Sequence, residues 1–274
     1  MYFDMMIERE IISSRQNREV VEVIKLGDKK ARRDTGLFRI DGIKLAKEAI
    51  EKGVKIEKIF LSESADLELP ALPESCRLIR TTDEVFEKIS EEKSPEGIIC
   101  VAKHLDNLVK IVKINNGDTV FSDGKGLFLA ESVRDPGNLG TLIRSANALG
   151  CERMIISADC ADLYNPKTLR AAMGAVFSLE IVTVESMSEA ISALRANGRR
   201  IFSAALDCDA RKLGTFELLP TDAFVVGNEG HGLTETTVGA CTESVYIPMK
   251  AGAESLNAAA AAAVILWEQA RSFI

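Results

Sequence analysis

The 274-residue sequence is poor in the side chains that build metal, redox and nucleophilic sites. It has two histidines, His104 and His231, so a His-rich metal cage or a Ser-His-Asp triad has almost no candidates, and no metal site is expected. Six cysteines stand at 76, 100, 151, 160, 208 and 241, and the closest two, Cys151 and Cys160, are nine residues apart. That spacing excludes a Cys-x-x-Cys zinc or dithiol pair and leaves reduced thiols packed as small apolar groups. No apolar run approaches the roughly 20 residues of a membrane span. The longest, Ala258 to Trp267, has ten. Glu8, Arg9 and Glu10 interrupt the N-terminus before a secretion signal could form, so a cytoplasmic protein without a membrane partner is expected.

What is present is the balance of a folded protein of one or two domains, 46% hydrophobic and 27% charged. The net charge of −7 argues against indiscriminate nucleic-acid binding. One stretch runs the other way. Lys25, Lys29, Lys30, Arg32, Arg33 and Arg39 face only Asp28 and Asp34 between residues 25 and 39. Lys29, Lys30, Arg32 and Arg33 are therefore candidate phosphate contacts.

Hydrophobic periodicity divides the chain near the polar stretch Asn115-Asn116-Gly117-Asp118, giving domains at 1–110 and 111–274. The first reads as helix 17–26, strand 37–40, helix 43–52, strands 56–61 and 77–80, helix 83–90 and strand 97–102, a small α/β sandwich. The second alternates strand and helix: 127–131 into 138–149, 154–157 into 166–174, 181–184 into 187–196, then strands 201–205, 224–226 and 245–247 before a helix over 255–271. Such alternation predicts a mostly parallel sheet covered on both faces, with ligands beyond the carboxyl ends of its strands.

Three loops at those ends carry unusual sequences. The first, Val133 to Thr141, has an Asp-Pro turn and leads to Arg144. By itself it equally reads as a turn in which Asn138 caps the helix and Arg144 makes a surface ion pair. The second is Gly227-Asn228-Glu229-Gly230-His231-Gly232, whose glycine order and late position do not fit a nicotinamide-dinucleotide fingerprint. His231 reads as a partly exposed loop residue or a general base. The third runs from Ile247-Pro248-Met249 through Glu254 to Ser255-Leu256-Asn257, where Ser255 and Leu256 also suit a plain helix cap and staple.

Together the loops resemble the three motifs of the SpoU (TrmH) family of RNA ribose 2′-O-methyltransferases, within the SPOUT superfamily. The likeness rests on Asp135-Pro136-x-Asn138-Leu139-Gly140-Thr141-x-x-Arg144, on Gly227-x-Glu229-Gly230-x-Gly232, and on Ile247-Pro248-Met249 with Ser255-Leu256-Asn257. Gly36-Leu37-Phe38-Arg39-Ile40-Asp41-Gly42 and Pro95-Glu96-Gly97 resemble the family's substrate-binding domain, akin to kink-turn-binding ribosomal proteins. Ser145, Asp41 and Ala258-Ala259 depart from the usual Thr, Glu and Val-Ser.

The resemblance implies a C-terminal α/β domain tied in a deep trefoil knot, an exception to the rule that chains do not knot. It implies S-adenosylmethionine held by Gly227, Asn228, Ile247, Met249 and Leu256. Methylation of a ribose 2′-hydroxyl would fall to Arg144, with Asn138, Glu229, Ser255 and Asn257 shaping the site, in a homodimer through the C-terminal domain. Ribosomal RNA is favoured over transfer RNA as the substrate. Arginine normally stays protonated, so Arg144 acts either as base or as phosphate and charge stabiliser. The alternative is a non-catalytic, ribosome-associated RNA-binding protein, which would not need that constellation.

Overall fold

The computed structural model describes residues 11–72, 75–111, 126–205, 209–250 and 255–271. In chain order these form α1 (Arg18–Lys25), α2 (Lys29–Thr35), β1 (Leu37–Asp41), α3 (Ile43–Glu51), β2 (Ile56–Ser62), β3 (Arg77–Thr81), α4 (Asp83–Ile89), β4 (Ile98–Lys103) and β5 (Leu108–Ile111). Then follow β6 (Leu127–Ala130), α5 (Pro136–Ala148), β7 (Arg153–Ser157), α6 (Pro166–Ala172) and a 3-10 turn at Met173–Phe177. The last stretch holds β8 (Glu180–Val184), α7 (Met187–Ala196), β9 (Ile201–Ala204), β10 (Arg211–Lys212), β11 (Ala223–Val226), α8 (Glu235–Ala240), β12 (Glu243–Tyr246) and α9 (Ala258–Ala270).

Two compact units result, and neither is a single stretch of chain. One comprises residues 1–106 with 162–177, the other 107–161 with 178–274. The first unit has a four-stranded sheet in the order β1-β4-β2-β3, mixed in direction. Val20 and Val23 of α1 and Val85, Phe86 and Ile89 of α4 bury one face against Phe60, Ile79, Ile99 and Val101. The second unit has an eight-stranded sheet, β10-β12-β9-β11-β6-β7-β8-β5, and every neighbouring pair is parallel. Its central strands are buried along their whole length, as a parallel sheet requires when both faces are covered. Leu127, Leu129, Ile155, Val182 and Val225 pack with Met187, Ile191 and Leu194 of α7, while α9 packs against α5 and β11.

The expected cut after residue 110 falls inside β5, because Leu108 to Ile111 pair with Ile181 to Val184 as an edge strand of the parallel sheet. The polar stretch 115–118 lies outside the described residues. Residues 162–177 read in sequence as an ordinary crossover between parallel strands, and β7 and β8 are indeed adjacent. Their packing nonetheless belongs to the first unit. Tyr164 stacks on His104 with ring centroids 4.1 Å apart, lies 4.7 Å from the Phe38 ring, and its hydroxyl accepts a hydrogen bond from the Leu105 amide at 2.7 Å. Burial pushes the Tyr164 phenol up to about 12.

The basic window is itself a helix. Asp28 caps α2 by accepting from the amides of Lys30 and Ala31, and Gly36 closes it with φ +68°. Lys29, Lys30 and Arg33 are exposed. Arg32 is not a phosphate-facing residue: it is 2% exposed and donates to the Leu26 and Gly27 carbonyls and, at 2.5 Å, to Asp162. Helical spacing turns this one residue of the window inward. Arg39 is buried as well, donating twice to Asp41. Glu96 accepts from the Ile43 amide at 2.6 Å, where Gly42 offers no side chain to cap α3.

The five described cysteines are free and buried, and Cys208 lies outside the described residues. No described helix is long and apolar enough to cross a membrane. Removing Arg32 strands the Asp162 carboxylate, whose side chain is 16% exposed. Arg32→Ala should therefore destabilise the protein by about 3 kcal/mol. Lys29→Ala and Lys30→Ala should each stay within about 0.5 kcal/mol. Chemical denaturation of the three variants checks this.

Candidate functional site

At the carboxyl edge of the parallel sheet, Asp135 rather than Asn138 caps α5, its Oδ1 accepting from the Asn138 amide at 2.8 Å. The Asn138 side chain is thereby left for other work. Its Nδ2 donates to Glu229 Oε1 at 2.5 Å, and its Oδ1 accepts from Asn257 Nδ2 at 3.0 Å. Asn257, not Ser255, caps α9: its Oδ1 accepts from the amides of Ala259 and Ala260. One residue from each of the three loops thus joins a single chain of hydrogen bonds. Arg144 lies six residues beyond Asn138 on α5, exposed and with no hydrogen-bond or ion-pair partner among the described residues. Among the described residues, the surface ion pair that would have explained it is not formed.

The glycine loop folds on itself. Asn228 and Gly232 exchange backbone hydrogen bonds of 3.0 and 2.9 Å, and Asn228 Oδ1 accepts from the amides of Gly230 and His231. A Cβ on Gly227 would stand 2.3 Å from the Gly232 carbonyl carbon and 2.5 Å from the Leu233 nitrogen. Glycine is required there by the loop's own backbone. The loop is tied at both ends to consecutive residues beyond β6. Asn228 Nδ2 donates to the Ser132 carbonyl at 2.8 Å. Glu131, 7% exposed, accepts from the Thr234 amide, the Thr234 hydroxyl and the Thr237 hydroxyl at 2.9, 3.1 and 2.5 Å.

Between this loop and α9 lies a cavity of about 430 Å³. Gly227, Asn228, Ile247, Met249 and Leu256, the five residues expected to hold a cofactor, all line it. Glu229, His231 and Ser255 line it too. Its volume and largely apolar wall, with a few convergent polar groups, are those of a small-molecule site. Residues 251–254 of the third loop lie outside the described residues. His231 is exposed at the lip, with its amide on Asn228. Sequence reasoning missed Glu131, Ser132 and Thr234. Thr234 just before a short helix was a legible cap, whereas the pairing of Glu131 and Ser132 with a loop about 100 residues away is not written locally.

Residues 126–267 match the SpoU rRNA Methylase family, and residues 17–100 match the MRM3-like substrate binding domain. The chain is 29% identical over 260 residues to the 23S rRNA (guanosine(2553)-2′-O)-methyltransferase RlmP of Bacillus subtilis, covering 93% of this chain and 97% of that protein. It is 32% identical over 277 residues to the 23S rRNA (uridine(2479)-2′-O)-methyltransferase of Streptomyces viridochromogenes, covering 96% and 92%. Among solved structures, the SpoU methyltransferase AviRb from Streptomyces viridochromogenes, in complex with the cofactor AdoMet, superposes with a TM-score of 0.77 at 26% identity, over 94% of this chain and 98% of that one.

The glycines of the loop separate by what surrounds them. Gly227→Ala should cost at least about 2 kcal/mol, because backbone must move. Gly230→Ala meets only the Asn228 side chain, at 3.4 Å, and should stay within about 0.5 kcal/mol. Thermal denaturation of the two variants distinguishes them.

Proposed function

This chain belongs to the SpoU rRNA methylase family, and we propose that it methylates a ribose 2′-hydroxyl of ribosomal RNA with S-adenosylmethionine as methyl donor. The observation that carries the reading is the convergence of three loops: the second and third line the 430 Å³ cavity, and the first joins them through the Glu229–Asn138–Asn257 hydrogen bonds beside it. The cavity fits the donor. Val226, Ile247, Met249 and Leu256 offer apolar walls for an adenine ring, while Asn228, Glu229 and Ser255 supply polar groups for the rest of the molecule. When bound, S-adenosylmethionine supplies an electrophilic methyl group.

The protein must then bind, orient and relieve the hydroxyl of its proton. Gly227, Asn228, Ile247, Met249 and Leu256 are the binding set. Asn138, Glu229, Ser255 and Asn257 orient the reacting groups, with Asn138 held by Glu229 on one side and Asn257 on the other. Arg144, free of any internal partner among the described residues, is left to meet RNA. Its guanidinium stabilises developing charge or anchors a phosphate near the target ribose.

The first unit, residues 1–106 with 162–177, serves as the RNA-binding part, with Lys29, Lys30 and Arg33 as its phosphate contacts and Arg32 as their internal support. The methyltransferase part is the parallel sheet and its helices, with the segment ending in α9 threaded as a trefoil knot and the enzyme working in the cytoplasm. It pairs as a homodimer through that part. Support for pairing comes from Val264 and Trp267, which lie three residues apart on α9 and are 42% and 56% exposed.

Mapping 2′-O-methyl groups by mass spectrometry in ribosomal RNA, from cells with and without the gene, tests the activity: one methyl group should disappear, and an unchanged map overturns the reading. Arg144→Ala should keep cofactor affinity within about twofold while single-turnover transfer falls at least about 100-fold. Calorimetry and quenched turnover measure the two quantities. Replacing Lys29, Lys30 and Arg33 together by alanine should reduce the slope of log RNA affinity against log salt by about 2–3, one phosphate contact for each charge.

A further inference from the structure

Beside the cavity, outside the groups assigned to binding or chemistry, lies a polar cluster at the ends of β6 and β7. Ser132 has φ +56°, a left-handed conformation disfavoured for a residue with a Cβ. Its polar atoms are all engaged. The amide donates to Ser157 Oγ at 2.8 Å, the hydroxyl donates to Asp159 Oδ2 at 2.6 Å, and the carbonyl accepts from Asn228 at 2.8 Å. Ser157 Oγ donates to Asp159 Oδ1 at 2.6 Å, and Arg134 approaches Oδ2 at 3.2 Å. Burial works against the charge on Asp159, but the two hydroxyls and the guanidinium outweigh it and hold the carboxyl below its ordinary range. An unfavourable backbone conformation persists where its surroundings over-determine it, and here they do.

Ser132 stands at a branch point. Backwards through its carbonyl it holds Asn228 and the turn that lines the cavity. Forwards, three residues on, Asp135 caps α5 and so aims Asn138 at Glu229 and Asn257. Resting on the methyl-transfer reading, we propose that Asp159 is a positioning residue for the reaction, acting through Ser132: its carboxylate fixes the Ser132 conformation that sets the direction of the Asp135 cap and of Asn138. Asp159 touches neither of the groups it places.

Ser132→Gly is the informative variant, because glycine adopts the left-handed conformation freely and keeps the carbonyl bonded to Asn228, yet cuts the direct hydroxyl bond to Asp159. Its melting temperature should equal or exceed that of the unaltered protein, and its S-adenosylmethionine dissociation constant should stay within about twofold. Single-turnover transfer at saturating RNA and cofactor should fall at least about tenfold, since small misplacements of reacting groups are costly. Asp159→Ala should fall at least as far, and the double variant no more than about twofold further than Asp159→Ala alone, because both changes cut the same Ser132–Asp159 bond. Transfer by Ser132→Gly within about twofold of the unaltered enzyme overturns the proposal. So does a loss in Asp159→Ala that follows melting temperature or cofactor affinity, and so do effects that multiply in the double variant. An unaltered protein that neither binds S-adenosylmethionine nor methylates ribosomal RNA overturns the methyl-transfer reading and this proposal with it. An active one with an indifferent Ser132→Gly overturns this proposal alone.

Discussion

The loop from Gly227 to Thr234 hangs between two neighbouring residues at the end of β6, and the cavity takes its shape from that suspension. Residues 227–232 bury no apolar side chain, so hydrophobic packing cannot hold them. Polar anchoring does. Glu131 is a buried carboxylate that needs donors and finds them on Thr234 and Thr237, while the Ser132 carbonyl receives the Asn228 amide. A buried acceptor left unsatisfied costs about 1–3 kcal/mol, and more when charged. The loop therefore has one low-energy place to lie, and that place forms one wall of the cavity.

The same economy of parts appears at the helix ends. Asn257 caps α9 with its oxygen and donates its side-chain N–H to Asn138, so the side chain that starts the helix also sets the site. Asp135 caps α5 and releases Asn138 from that duty. Local helix chemistry and site geometry are carried by the same side chains. The division between apolar wall and polar mouth follows: Ile247, Met249 and Leu256 lie along the cavity, and the Glu229–Asn138–Asn257 chain lies where the loops meet.

In the first unit, charge is used inwardly as well. Arg32 and Arg39 are almost wholly buried, one on Asp162 and two carbonyls, the other on Asp41. Burial raises the Asp41 carboxyl against the pull of Arg39 beside it. Two of the six basic residues between 25 and 39 thus hold structure, and a count of charges over a window overstates the surface available to a polyanion.

Most of the strands and helices, the parallel second sheet, the three loops and five of the cavity-lining residues were legible in the sequence, whereas α2, α8 and the short edge strands β5 and β10 were not. Hydrophobic period, glycine and capping signals act over a few residues, and the fold puts the carboxyl ends of parallel strands on one edge. Which residue of a motif caps and which bonds to another loop was not legible. Asp135, Asn138, Ser255 and Asn257 are all able to cap, and only the distances to partners in other loops decide between them. The membership of residues 162–177 in the first unit, the inward turn of Arg32 and the left-handed Ser132 were equally beyond local reading. Each is set by contacts between residues 25 to 130 positions apart, where burial and hydrogen-bond satisfaction in the assembled fold override what each segment would do alone.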